Sequence, residues 1–167
     1  DLCETNGGAL PFEVGEIAAA VAAALPGQQL GIHCHNDSGC AVANTLAAVR
    51  AGVTQVQGTV NGFGERVGNT DLLTVIADLE LKMGRVTVGP ENLRELTSVS
   101  QFVAEACNVS VPAHHPYTGA SAFAHKGGLH ASAIARFPEA YEHTPPESVG
   151  NTQRTVSPRR SASARGS

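Results

Sequence analysis

"GIHCHNDSGCAVANTLAAVRAGVTQVQG", Gly31–Gly58, changes its period twice in one short run. With Gln29-Leu30 ahead of it, "QLGIHCHND" is strand-like and runs into a polar turn at Asn36-Asp37-Ser38-Gly39. "GCAVANTLAAVRAG" then puts its apolar residues on one helical face and stops at Gly52, a natural C-cap. "VTQVQGTVNG", Val53–Gly62, returns to β-branched residues and ends on glycine, which predicts a second strand. Strand, helix and strand joined by short connections make a parallel β/α unit.

The same rhythm runs outward on both sides. "DLCETNGG" reads as a short strand ending in a glycine turn, and "PFEVGEIAAAVAAAL" as a helix with Pro11 in its first turn. "NTDLLTVIADLELKMG" is a third helix, with Asn69 as its cap and Gly84 as its stop. Three successive units give an α/β class and two architectures: a small open sheet, or part of a barrel that needs eight units to close. Beyond Gly84 the rhythm changes. "GPENLRELTSVSQFVAEACN" predicts one amphipathic helix starting at Pro90-Glu91, then come the loop "VPAHHPYTGAS" and "AFAHKGGLHASAIARFPEAYEH". Residues 86–151 are therefore expected to form a helical extension, and the basic, serine-rich residues 152–167 a disordered tail.

At 167 residues, 42% apolar and 16% charged, the chain has the length and balance of one folded domain. Its net charge of −4 hides an asymmetry, because the four arginines of Thr152–Ser167 have no acidic neighbour in that segment. Without them the balance is 7 basic against 15 acidic, or −8. That argues against a nucleic-acid partner, which wants a basic face. The four cysteines show neither a CxxC pair nor a disulfide-scaffold density, so a reduced, cytoplasmic setting is expected. No apolar run reaches the ~18 residues of a membrane span. The chain opens on Asp1 and shows no signal peptide, and it is expected to be a piece of a longer protein.

On a strand, residues two apart point the same way, so His33 and His35 share a face while Cys34 takes the other. They stand near the carboxyl end of their strand, the edge where parallel β/α folds bind ligands. Two imidazoles side by side there suit one divalent cation, whereas a single histidine would serve packing as well. Asn36 and Asp37 follow as expected acceptors for the outer ring nitrogens. The loop after the third strand, "NGFGERVGN", lets the backbone approach a ligand closely and adds the pair Glu65-Arg66. Its glycine spacing is not a dinucleotide fingerprint. The third cluster, "AFAHKGGLH", carries His125 and His130 around a Gly127-Gly128 break.

Together these stretches resemble the family of 2-isopropylmalate, homocitrate and citramalate synthases, acetyl-CoA-dependent condensing enzymes built on a TIM barrel. "LGIHCHNDSGCAVA" matches its His-x-His-Asn/Asp-Asp-x-Gly signature, and "NGFGERVGN" its Gly-x-Gly-Glu-Arg-x-Gly-Asn loop. The likeness runs from about Asp1 to Asn151 and looks closest to the citramalate-forming branch, through "ETNGG", "HHPYTGASAFAHKGGLHASA" and "PEAYEHTPPESVGN". It implies a partial TIM (β/α)8 barrel, strands six to eight with their helices, in residues 1–85. A helical linker subdomain would occupy residues 86–151 and a divergent tail residues 152–167.

The resemblance further implies that His33 and His35 bind a catalytic divalent metal (Mg, Mn or Zn), with Asn69 as a further oxygen ligand. Thr5 would hydrogen-bond the carboxylate of a 2-oxo acid, pyruvate in this branch. His130 would assist proton removal from acetyl-CoA, reaching the partner's site in a homodimer, and Glu65 and Arg66 would support the loop. Departures are plain too. The family's Asp-x-Thr-Leu-Arg-Asp-Gly segment, source of a metal-ligand aspartate and an arginine, does not occur here, nor does the acidic residue of its base system. Glu4 stands where an aspartate usually precedes the threonine. The switch to arginine and serine after Asn151 is what a shifted reading frame would produce. Alone, the 167 residues are expected to condense nothing and to hold metal weakly.

Overall fold

The computed structural model describes residues 1–126, 137 and 142–156. Leu2–Glu4 (β1), Gly31–Cys34 (β2) and Gln55–Gln57 (β3) form one parallel sheet in the order β1-β2-β3. Cys3 and Gln57 flank His33, while Leu2 and Val56 flank Ile32. Because side chains alternate along a strand, this register sorts the sheet into an apolar and a polar face. Leu2, Ile32, Cys34 and Val56 pack under helices Pro11–Ala24 (α1) and Ala41–Arg50 (α2), whose Val14, Ala18, Ala41 and Ala48 complete the core. Burying Ile32 alone contributes roughly 1.5–3 kcal/mol. The opposite face presents Cys3, His33 and Gln57. Gln57 there donates from Nε2 to Asp1 Oδ2 at 2.7 Å. A sheet with helices on one side and polar groups on the other is a slice of a barrel wall.

Helix Leu72–Leu81 (α3) lies against α2 through Val75 and Leu79 on Val49. Its cap is Asp71, whose carboxylate accepts from Leu73 N at 3.3 Å and Thr74 N at 3.2 Å. Asn69, the cap expected from sequence, is diverted because it bridges His35 in antiparallel fashion. The third strand is also shorter than Val53–Gly62. After Gln57 the chain pairs with its own loop, Thr59 N donating to Thr70 O at 3.0 Å, and tightens into a 3-10 turn at Val60–Gly62.

The extension departs more. The single helix expected from Pro90 is two, Pro90–Leu93 (α4) and Leu96–Cys107 (α5). Leu93 and Leu96 both turn into the second core with Leu73, Ala77, Tyr117, Phe123 and Val149, and the backbone breaks between them. Thr97 Oγ1 donates to Val149 O at 2.7 Å, holding that junction against a 3-10 turn at Pro146–Val149. Glu80 Oε1 joins α3 to α4 by accepting from the backbone N of Thr87, Val88 and Gly89 and from Thr87 Oγ1. Nor is the extension wholly helical. Ala124–Lys126 (β4) pairs in parallel with Arg154–Val156 (β5). Residues 154–156 thus fall in a strand where disorder was expected. Arg154 N donates to Phe123 O at 3.0 Å.

Candidate metal centre

β2 ends with His33 half-buried and His35 buried, and their Nε2 atoms face each other at 3.4 Å. The rings meet edge to face, 5.2 Å between centroids. Asn69 completes the group, its side-chain amide nitrogen 3.1 Å from His33 Nε2. Turned over, the same amide presents its oxygen to that point. The loop reaches this position because glycine stands where a side chain cannot. A Cβ on Gly64 would lie 1.8 Å from Asn69 Oδ1, and Gly68 adopts φ +113°. Backbone bonds then fix the approach: Asn69 N donates to Gly62 O and Asn36 N to Gly68 O, each at 3.0 Å. Thr70, fully buried, ties the next turn down, with its hydroxyl 3.0 Å from that of Thr45 and 3.2 Å from Cys34 O.

Two nitrogens bound to one ion at about 2.1 Å stand about 3.0–3.4 Å apart, so the Nε2 pair has the separation a shared cation requires. Among the described residues His35 Nδ1 is buried without a hydrogen-bond partner, so no acceptor there fixes the ring for a ligand at Nε2. The donor set is partial. Among the described residues no three His, Cys, Asp or Glu side chains converge on one point.

Asn36 and Asp37 do not serve the imidazoles, contrary to expectation. Asn36 Oδ1 accepts from Ala41 N at 3.1 Å and so starts α2. Asp37 is taken by Arg66, which donates from Nε and Nη2 to its two oxygens at 2.8 Å each. Arg66 Nη2 also donates to Thr5 O at 2.8 Å, so one side chain staples the loops after all three strands. This hydrogen-bonded guanidinium holds the Asp37 carboxyl below its ordinary range, and Asp37 in turn raises Arg66. Glu65 is 79% exposed and only grazes Arg66 at 4.0 Å. Thr5 is exposed at the end of β1, while His130 lies outside the described residues. His125 Nε2 pairs with Glu142 Oε1 at 3.1 Å within the extension. Cys34 is no nucleophile, since burial pushes its thiol up to about 11.

Beside Asn69 lies a recess of about 520 Å³ lined in part by Asn36, Val42, Leu46, Val67 and His115. Sequence reading missed three polar residues around it: Asn61, Asp71 and His115. Asp71 carried a usable signal, an acidic residue directly before an apolar helical run with Thr74 at the third position. Asn61 and His115 carried none, because Asn61 pairs with Ser100 and His115 meets Asp71, both about forty residues away in the chain.

The profile described as HMGL-like matches residues 1–103. The chain belongs to the HMGL-like family. A second profile, homocitrate synthase post-HMGL domain-like, matches residues 117–164 and so runs past Asn151. HMGL-like relatives include (R)-citramalate synthase of Geobacter sulfurreducens, 56% identical over 93% of this chain and 29% of that protein. The (R)-citramalate synthase of Streptomyces coelicolor matches to the same extent. The 2-isopropylmalate synthase of Cronobacter sakazakii is 40% identical over 90% of this chain and 29% of that protein. Among solved structures, the HMG-CoA lyase of Bacillus subtilis superposes with a TM-score of 0.58 at 28% identity, over 66% of this chain and 38% of that one. The chain spans under a third of the length of the curated HMGL-like relatives it matches. It shares their α/β barrel architecture in part, and no described helix is long and apolar enough to cross a membrane.

Proposed function

We propose that these residues are the C-terminal part of the catalytic barrel, with the start of the linker, of a cytoplasmic, homodimeric (R)-citramalate synthase. It joins the methyl carbon of acetyl-CoA to the ketone carbon of pyruvate, releases CoA by hydrolysis, and feeds isoleucine synthesis. The convergence of His33 and His35 Nε2 at 3.4 Å on the carboxyl edge of the sheet carries this reading. The relatives favour pyruvate over 2-oxoisovalerate, with 56% identity to a citramalate synthase against 40% to a 2-isopropylmalate synthase.

His33 and His35 would hold the metal through Nε2, with Asn69 Oδ1 beside them once its amide turns. The metal, Mg, Mn or Zn, supplies a Lewis acid for the ketone and carboxylate of the oxo acid. Thr5, at the end of β1, stands one loop away to hydrogen-bond that carboxylate. Arg66 fixes the loops after all three strands around the acceptor, through Asp37 and Thr5 O. Glu65 supports Arg66 from the solvent side. A base must take the methyl proton of acetyl-CoA, and His130 assists that step from the partner subunit.

The test is thiol release by the full-length protein from acetyl-CoA with pyruvate or 2-oxoisovalerate. Release with pyruvate and loss after chelation are expected. Release with 2-oxoisovalerate alone would replace the acceptor, and release with neither would sink the synthase reading.

A further inference from the structure

The Asn61–Asp71 loop brings Arg66 and Asn69 to the metal edge, and its far side is held by the extension. Asn61 sits at φ 60°, left-handed backbone that few side chains adopt, and it is buried. Both halves of its amide are spoken for by one residue of α5. Nδ2 donates to Ser100 O at 2.9 Å, and Oδ1 accepts from Ser100 Oγ at 2.6 Å. Ser100 has a single hydroxyl proton, committed to Asn61, so the Thr118 hydroxyl 3.3 Å away must donate to it. That leaves Thr118 Oγ1 free to accept from His115 Nδ1 at 2.9 Å. The other ring nitrogen, Nε2, lies 3.4 Å from Asp71 Oδ2 at the end of the same loop, and with the Nδ1 proton given to Thr118 it pairs with Asp71 when Nε2 carries a proton as well. The circuit Asn61–Ser100–Thr118–His115–Asp71 therefore starts and finishes on one loop and passes through the extension between.

Its route to the metal edge is short. Asn61 fixes the next residue, and Gly62 O accepts the backbone N–H of Asn69 at 3.0 Å. Ser100 and Asn69 are thus joined through one amide and one carbonyl. Ser100 is fully buried and Thr118 nearly so, conditions under which a satisfied polar network rigidifies what it touches. We infer that Ser100 and His115 are positioning residues: through Asn61 and Asp71 they clamp the loop and set Asn69 opposite His33. This inference rests on the metal role proposed above for His33, His35 and Asn69.

The test uses the full-length synthase with Ser100→Ala, Asn61→Gly and, as a control, Thr97→Ala. Asn61→Gly permits the left-handed backbone and deletes the side chain that carries the amide. Thr97 lies one turn from Ser100 on α5, is equally a buried hydroxyl, and bonds Val149 O instead of the loop. Three readouts are compared: melting temperature, Mn2+ affinity, and hydrogen exchange at the Asn69 amide. All three variants should melt lower. Ser100→Ala and Asn61→Gly should weaken Mn2+ binding by about three- to tenfold, at or below the effect of a direct outer-sphere partner. They should also speed exchange at Asn69, while Thr97→Ala changes neither. Unchanged Mn2+ affinity and unchanged exchange in both circuit variants would make the circuit ordinary packing and overturn the inference. If the wild-type protein binds no Mn2+, the proposed function fails, and the clamp is decided by exchange alone: faster at Asn69 than in Thr97→Ala supports it, and equal rates overturn it.

Discussion

The end of β2 and the loop after β3 touch at His33 and Asn69, yet they are finished to different degrees. At β2, His35 Nδ1 is buried without a partner, and two ring nitrogens face each other. At the base of the loop, the Asn61 amide and the hydroxyls of Ser100 and Thr118 all have partners. A buried polar group left unpaired costs on the order of 1–3 kcal/mol, and Thr59 Oγ1 at the start of the loop carries that cost as His35 Nδ1 does, so the contrast rests on the facing Nε2 pair. The contrast separates two kinds of polar chemistry in one neighbourhood. Under the reading proposed above, the Nε2 pair faces the ligand and the bonded circuit holds the shape of the loop beside it.

The strongest way to break that distinction is His33→Ala in the full-length protein, under the function proposed above. Loss of one of two converging imidazoles should remove metal-dependent condensation, roughly a thousandfold in kcat, while melting temperature changes little. If His33 were only a packing residue, the order would reverse, with a lower melting temperature and near-normal turnover at saturating metal.

The unfinished end was largely legible in the sequence, and the finished one was not. His33 and His35 share a face by strand period alone, and the loop glycines announce themselves by type. Strand and helix positions in the first 85 residues follow from periods of two and 3.6, which act over a few neighbours. What failed involved long-range pairing. Asn69 looked like a cap until its bridge to His35 was seen, and the cap is Asp71. The α4–α5 break follows from two leucines both finding the second core, with Thr97 bonded to Val149 O more than fifty residues away. Arg154–Val156 needed Phe123 and β4 to become a strand. Local composition does not contain those partners.

A middle-sized effect is expected where the two regions share a wall. Thr70 follows Asn69, is fully buried, and its hydroxyl lies near Cys34 O, Ala41 O and Thr45 Oγ1. Thr70→Val keeps the shape and deletes the hydroxyl, which should cost on the order of 1–3 kcal/mol of stability. Thermal or denaturant unfolding measures it. Mn2+ affinity should stay within a few-fold of wild type, because the Thr70 N–H to Cys34 O bond at 3.0 Å still holds the backbone beside Asn69. A large loss of metal binding without a loss of stability would show that the wall belongs to the unfinished end after all.

The smallest effect lies outside the circuit, at Glu80, which bonds Thr87, Val88 and Gly89. Burial pushes its carboxyl upward, but the hydrogen bonds it accepts from Thr87, Gly89 and Val88 outweigh that and leave it below the ordinary range. A carboxyl lowered in the folded state adds stability above its unfolded value and loses it as pH falls through the folded one. Glu80→Gln keeps an acceptor oxygen and removes the charge. The variant should therefore melt slightly below wild type at neutral pH, with the gap closing in acid below the usual glutamate range. Melting curves across pH decide it, and a gap that stays constant would show that the bonds matter and the charge does not. Metal affinity should not move in either case, because Glu80 joins α3 to α4 and has no place in the circuit that reaches Asn69. If it did move, the clamp on the loop would extend through the whole linker, and the two regions would be one mechanical unit.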